Sequence, residues 1–220
     1  MTYSIKEMFY TLQGEGNQAG RPAVFCRFSG CNLWSGREQD RANAICTFCD
    51  TDFVGTDGQG GDKFKNAEAL AHAIDSFWPI SHQDHKYVVL TGGEPLLQVD
   101  EALIFALHKL DFVIAVETNG TITPPPGIDW ICVSPKSSTQ IKITQGDELK
   151  LVFPQIDSMP NDYESLNFQH FYLQPMDGPN AKEHTEATIN YCKSNPRWRL
   201  SLQQHLSLIH ISEPTRPRLI

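Results

Sequence analysis

Short β-rich runs alternate with helix-spaced apolar residues along most of this chain. Ala23 to Phe28 reads as a strand. The stretch after it, Asn32 to Ile45, is polar and mixed in charge, an insertion without apolar period. Gly55 to Gly61 holds four glycines in seven residues and predicts a flexible surface loop. Asn66 is placed to cap a helix in which Leu70, Ala73, Ile74 and Phe77 recur at helical spacing. Tyr87 to Leu90 is a second strand, stopped by Thr91-Gly92-Gly93-Glu94-Pro95, and Asp100 opens a second helix through Leu110.

The alternation continues with strands at Phe112 to Val116, Trp130 to Val133, Leu149 to Phe153 and Phe171 to Leu173. A helix from Ala181 to Ser194 and a strand from Trp198 to Leu202 follow. Short buried strands between helices imply parallel βαβ units. Some connections are too irregular for full helices, and a complete eightfold barrel needs about 250 residues. The expected fold is α/β: an open, incomplete TIM-like (βα) barrel.

In such folds functional residues gather at the carboxyl ends of strands. Five polar clusters stand there: Cys31, Thr91 to Glu94, Glu117-Thr118-Asn119-Gly120, Ser134-Pro135-Lys136, and Gln174-Pro175-Met176-Asp177. They read as one rim around one pocket.

With 220 residues, 40% of them hydrophobic, the chain has material for one substantial core. A net charge of −8 and no long basic run argue against a nucleic-acid partner. No apolar stretch reaches membrane-spanning length, and the first residues do not form a signal peptide, so a cytoplasmic location is expected. Residues Leu206 to Arg216 match the translation of a sequencing-library adapter. The expected division is therefore a domain over residues 1–205 and a non-native tail over 206–220, the alternative being a native tail with a short strand at Leu206 to Ile211.

Cysteines change the picture most. Cys31, Cys46 and Cys49 stand as C-x14-C-x2-C. In a reducing compartment such a set argues for metal or catalysis before disulfides. Three thiolates suit three corners of an iron–sulfur cube and leave the fourth iron open, whereas structural zinc takes four protein ligands. No histidine lies in the motif loop to complete a zinc knuckle. Cys26, Cys132 and Cys192 read as small core residues.

Together with the Thr91-Gly92-Gly93-Glu94-Pro95 turn and the Glu117-Thr118-Asn119-Gly120 strand end, the cysteines resemble the radical S-adenosylmethionine superfamily. Within it, the chain is similar to the 7-carboxy-7-deazaguanine synthase family, some members of which share the long first gap. Phe9 to Gly16, Arg27 to Trp34, Cys49-Asp50-Thr51 and Leu200 to Gln203 carry that narrower likeness, which extends from Met1 to His205. The resemblance implies a 4Fe-4S cluster on Cys31, Cys46 and Cys49, with S-adenosylmethionine on the open iron. It also implies ring contraction of 6-carboxy-5,6,7,8-tetrahydropterin to 7-carboxy-7-deazaguanine with loss of ammonia, in queuosine-type 7-deazapurine synthesis. A flavodoxin- or ferredoxin-like electron donor and a homodimer belong to the same expectation.

By the same resemblance Phe48, Asp50, Gly93, Glu94, Ser134, Lys136, Gln174 and Asp177 contact the cofactor. Leu12, Gln13, Gly14, Glu15, Thr91 and His205 face the pterin, while Thr51 binds Mg2+. Arg27 has a fork suited to the substrate carboxylate, but taken alone it fits a structural salt bridge with a rim acid equally well. The glycines of the Thr91 turn are otherwise ordinary turn residues, and Thr51 is otherwise an ST-turn closing the loop. Family lysine and threonine positions are here Leu206 and Gln204. Two rival readings are an activating enzyme for a glycyl-radical protein, which keeps the triad and the glycine turn without Leu12 to Glu15 and Arg27, and a non-enzymatic zinc module.

Overall fold

The computed structural model describes residues 2–203; Gln204, His205 and the 206–220 tail lie outside the described residues. Among them, strands β1 (Tyr3–Leu12), β2 (Pro22–Phe28), β3 (Asp62–Phe64), β4 (Tyr87–Gly92), β5 (Val113–Thr118), β6 (Trp130–Val133), β7 (Gln145–Phe153), β8 (Asn167–Pro175) and β9 (Trp198–Leu200) form one sheet. Their order is β3-β1-β2-β4-β5-β6-β7-β8-β9. From β2 to β9 all pairings are parallel, whereas β1 is antiparallel to both β2 and β3. The end strands do not pair, so the barrel is open, as expected.

Helices α1 (Ala67–Asp75), α2 (Glu101–His108) and α3 (Ala181–Ser194) are the crossovers. Asn66 and Asp100 accept from the amides of Ala69 and Leu103, capping α1 and α2 where the sequence placed those caps. The β5–β6 and β6–β7 connections have no helix, and β7–β8 holds only a 3-10 turn.

Alternation along the strands divides the molecule. One face of the sheet, with Val24, Cys26, Phe28, Leu90, Ile114, Leu149, Leu151 and Leu173, packs under the helices as the main core. The other face lines the barrel interior. Phe9, Ala23, Phe25, Tyr87, Val89 and Ala115 fill one end of it, with the Phe9 and Phe25 rings stacked at 5.6 Å. Polar side chains occupy the end nearer the carboxyl termini of the parallel strands.

Several boundaries differ from expectation because the strand ends carry polar residues on both faces. β7 starts at Gln145 rather than Leu149, β8 spans Asn167–Pro175 rather than Phe171–Leu173, and β4 and β5 run on through Thr91 and Thr118. β1 was not expected as a strand. The glycine loop is also not loose. The amide of Gly58 donates to the Lys6 carbonyl at 3.0 Å and that of Met8 to the Gln59 carbonyl at 2.7 Å. A Cβ on Gly61 would stand 2.2 Å from the Lys6 carbonyl oxygen, so glycine is what permits this docking. Cys26 and Cys132 are buried as expected; Cys192 is half-buried at the core margin.

Candidate active site

Four polar clusters from strand ends and the segment after β2 line one cavity of about 670 Å3 with Glu15 and the motif cysteines. That volume suits small ligands. Cys31 follows β2, while Cys46 and Cys49 lie on the turn that closes the insertion. Backbone amides of Leu33 and Trp34 are directed at the Cys31 sulfur, those of Phe48 and Cys49 at Cys46, and that of Thr51 at Cys49. Burial pushes all three thiols up, Cys49 to about 11, and these amides offset part of the rise. Metal coordination would displace the protons. Among the described residues, no three His, Cys, Asp or Glu side chains are gathered tightly enough for a single ion. A cube takes its thiolates at separate corners and asks for no such convergence. Three cysteines sharing one cavity, with amides aimed at the sulfurs, fit an iron–sulfur cluster.

The glycine turn is fitted to this wall. Gly93 donates to the Phe28 carbonyl and Glu94 to the Gly30 carbonyl, at 3.2 and 2.9 Å. A Cβ on Gly93 would lie 2.1 Å from the Gly30 carbonyl oxygen and 3.1 Å from Cβ of Cys31. Glu94 does not line the cavity. It is fully buried, and its carboxylate accepts from Leu96 N, Thr118 Oγ1 and Asn119 N at 2.8–3.0 Å. Burial raises its pKa despite these donors. Asn119 thus reaches the cavity wall on Glu94's support and donates to Asn32 Oδ1 at 2.9 Å.

The opposite side of the cavity comes from below. Because β1 is antiparallel to β2, its end lies at the amino ends of the parallel strands, and the loop after it plugs the barrel. Gly16 N donates to Ser201 Oγ and Asn17 N to Glu148 Oε2, each at 2.9 Å. This ties the β1–β2 edge to β7 and the segment after β9. Glu15 rises from the plug to accept from Lys150 Nζ at 2.7 Å. Lys150 also lies 3.3 Å from Glu117, which accepts from Gln13 Nε2 at 3.1 Å and Thr91 Oγ1 at 3.0 Å. Burial drives the Lys150 ammonium toward the neutral form, yet Glu117 and Glu15 outweigh it and hold the pKa well above the ordinary value.

Of the expected site residues, Glu15, Phe48, Asp50, Thr51, Thr91, Gly93, Ser134, Lys136, Gln174 and Asp177 line the cavity with the three cysteines. Lys136 Nζ donates to the carbonyl and hydroxyl of Ser134, both at 2.8 Å. Gln174 is buried, and among the described residues its Oε1 has no hydrogen-bond partner, leaving an acceptor for a ligand. Gln13 is buried beneath the floor, Gly14 is buried in the plug, and the Leu12 side chain is exposed. Arg27 is buried with Nε 2.8 Å from Glu7 Oε1, an interior pair on β1 and β2 rather than one with a rim acid. His205 lies outside the described residues. Glu117 and Asn119 line the cavity with the rim cluster they were expected to join, though no role was foreseen for either, and Lys150 was missed. On β7 the signal was present as Glu148-Leu149-Lys150-Leu151, a period-two alternation that puts charge on one face.

The Radical SAM superfamily matches residues 39–197, and the chain belongs to that superfamily. Annotated relatives narrow this. The 7-carboxy-7-deazaguanine synthases of Bordetella pertussis and Caulobacter vibrioides are each 63% identical over 205 residues, 93% of this chain and 97% of theirs. That of Bradyrhizobium diazoefficiens is 60% identical over 208 residues, 94% of this chain and 99% of its own. The crystal structure of QueE from Escherichia coli superposes with a TM-score of 0.70 at 26% identity, covering 92% of this chain and 94% of that one. The chain is a member of the 7-carboxy-7-deazaguanine synthase family.

Proposed function

We propose that the chain contracts the ring of 6-carboxy-5,6,7,8-tetrahydropterin to 7-carboxy-7-deazaguanine, releasing ammonia, in queuosine-type 7-deazapurine synthesis. The observation that carries this is a single cavity with cysteines on one wall and the Glu15–Lys150–Glu117 group on the other. Cys31, Cys46 and Cys49 hold a 4Fe-4S cluster on this reading, with S-adenosylmethionine against it. When bound, that pair supplies one-electron chemistry able to remove a hydrogen atom from carbon.

The chain's own residues bind, orient and shield. Glu15 accepts from the 2-amino and ring N–H edge of the pterin, and Lys150 fixes the carboxylate for that task. Thr91 and Gln13 are oriented through Glu117, so the floor acts as one preformed unit and little ordering is left for the bound state. Gln174 Oε1 takes a cofactor donor, Gly93 and Asp50 contribute from the cysteine wall, Lys136 is held by Ser134, and Asp177 sits at the exposed rim. Phe48, on the cavity wall, would stand beside the adenine. Glu94 acts through Asn119 rather than by contact. Arg27 would share its fork between Glu7 and the substrate carboxylate, and Thr51 would hold a Mg2+ ion that supplies charge to that carboxylate. Leu12 and Gly14 offer backbone groups, and His205 completes the pterin side. A cytoplasmic homodimer fed by a flavodoxin- or ferredoxin-like donor completes the proposal.

The test is anaerobic reconstitution with iron and sulfide, then incubation with S-adenosylmethionine, reductant, Mg2+ and the pterin. Substrate-dependent deazaguanine is expected. Cofactor cleavage without that product favours the activating-enzyme reading; zinc without iron or sulfide favours the zinc module.

A further inference from the structure

The polar stretch between the first two cysteines has no part in the function above, yet it is built. The amides of Ile45 and Cys46 both donate to the Leu33 carbonyl, at 3.1 and 3.3 Å, and pinch its ends together. Between them a 3-10 turn, Glu38–Asn43, brings Arg41 over the Cys46–Cys49 turn. Arg41 Nη1 donates to the carbonyls of Thr47 at 2.9 Å and Cys49 at 3.0 Å. Its Nε is 2.8 Å from both oxygens of Glu38. The guanidinium also lies over the Trp34 ring, 4.1 Å from the centroid. Trp34 is itself buried, edge-on against Phe53 at 5.6 Å.

We propose that Arg41 is a positioning residue for the iron–sulfur site, the centre of an internal clasp that holds the Cys46–Cys49 turn in its ligating shape before metal arrives. The inference rests on reading the three cysteines as cluster ligands. The peptide plane gives it a mechanism. In a trans peptide the carbonyl and the next amide point in opposite directions. Gripping the Thr47 carbonyl therefore aims the Phe48 N–H away from Arg41, and that amide is one of the two directed at the Cys46 sulfur. A planar fork reaches two carbonyls while its face stacks on an indole; an ammonium has no such face. The charge also sits beside the place where an electron must be accepted. The long first gap thus becomes a support that travels with the motif it braces.

The test compares wild type, Arg41→Met and Arg41→Lys after anaerobic reconstitution. Read out are iron per chain, the rate of cluster loss to a ferrous chelator, the midpoint potential from an EPR-monitored titration, and thermal unfolding of the metal-free proteins. Glu38 is exposed, so unfolding is expected to stay close to wild type. Cluster loss is expected to quicken about 10- to 100-fold in Arg41→Met, with a more negative potential, and Arg41→Lys is expected to restore neither fully. Wild-type loss rate and potential in Arg41→Met overturn the proposal. If that variant fails to fold, Trp34→Phe serves instead: quicker cluster loss supports the clasp and an unchanged rate overturns it. A wild-type chain that takes up zinc without iron or sulfide sinks the functional reading itself, a separate result.

Discussion

Replacing Lys150 by methionine tests the floor of the site. The ammonium is buried 2.7 Å from Glu15 and 3.3 Å from Glu117. With an effective dielectric constant of about 20, the two attractions come to roughly 6 and 5 kcal/mol. Much of that is offset by the cost of drawing the ions out of water. Methionine keeps the stem and removes the charge, so two carboxylates are left together without their shared cation. Breaking a buried pair in this way costs about 3–5 kcal/mol. At ~2–4 °C per kcal/mol for a chain of this size, unfolding should fall by roughly 6–20 °C. Calorimetry of the metal-free protein near pH 7 reads this directly. The wild-type contribution is complete there: with its pKa held above the ordinary 10.5, the lysine loses its charge only in stronger alkali. Adding Glu117→Gln to Lys150→Met should recover part of the loss, giving a coupling above about 1 kcal/mol. An unfolding temperature within about 2 °C of wild type, less than 1 kcal/mol, would refute the charge arrangement.

Gly93→Ala should lower iron per chain after reconstitution, because the new methyl displaces Gly30 and Cys31; wild-type iron content would count against that packing. Cys49→Ala should abolish cleavage of S-adenosylmethionine, whereas Glu15→Gln should spare cleavage without pterin and lower kcat/KM for the pterin about 10- to 100-fold, the worth of a charged hydrogen bond; equal loss of pterin-independent cleavage in both would erase the division of roles. Burial holds the Glu148 carboxyl above the ordinary 4.5, so the folded chain binds that proton more tightly than the unfolded one and loses stability as pH rises through the window just above 4.5. Glu148→Gln should remove this slope, so that its stability relative to wild type climbs across the window by at most ~1.4 kcal/mol per pH unit; a flat difference between thermal unfolding curves taken at stepped pH would contradict the burial.

The architecture was legible because βαβ alternation is written in apolar residues, and the two helix caps in single polar ones. The cysteine wall was legible for another reason: soft ligands at that spacing have few other uses. The floor was not. Glu15 could be named from the motif, but its partner Lys150 comes from a strand 135 residues away, a pairing set by the antiparallel turn of β1. That turn was missed because β1 has Lys6, Glu7 and Tyr10 among its apolar residues, and Lys6 is neutralised by Asp57 from the glycine loop and by Asp52 just before it. Arg27 shows the same limit. Its sequence context left substrate carboxylate and salt bridge equally open, and Glu7, which sits opposite it in the β1–β2 register, is visible only once that register is known.

Strand β7 shows why fold and site are not independent here. Leu149 and Leu151 are fully buried in the main core, while Glu148 and Lys150, between and beside them, face the barrel interior. They pair with β8 so that Lys150 stands opposite Tyr172 and Glu148 opposite His170. A slip of one residue would turn the lysine into the apolar layer under the helices and put a leucine between Glu15 and Glu117. Both exchanges are unfavourable, and they add, because period two couples every side chain on the strand. The charges that build the floor therefore also select the register that places them. Lys150→Met should weaken that selection without abolishing it, since the leucines still prefer the helical side. The variant is accordingly expected to unfold at lower temperature in one cooperative step rather than to populate a second arrangement.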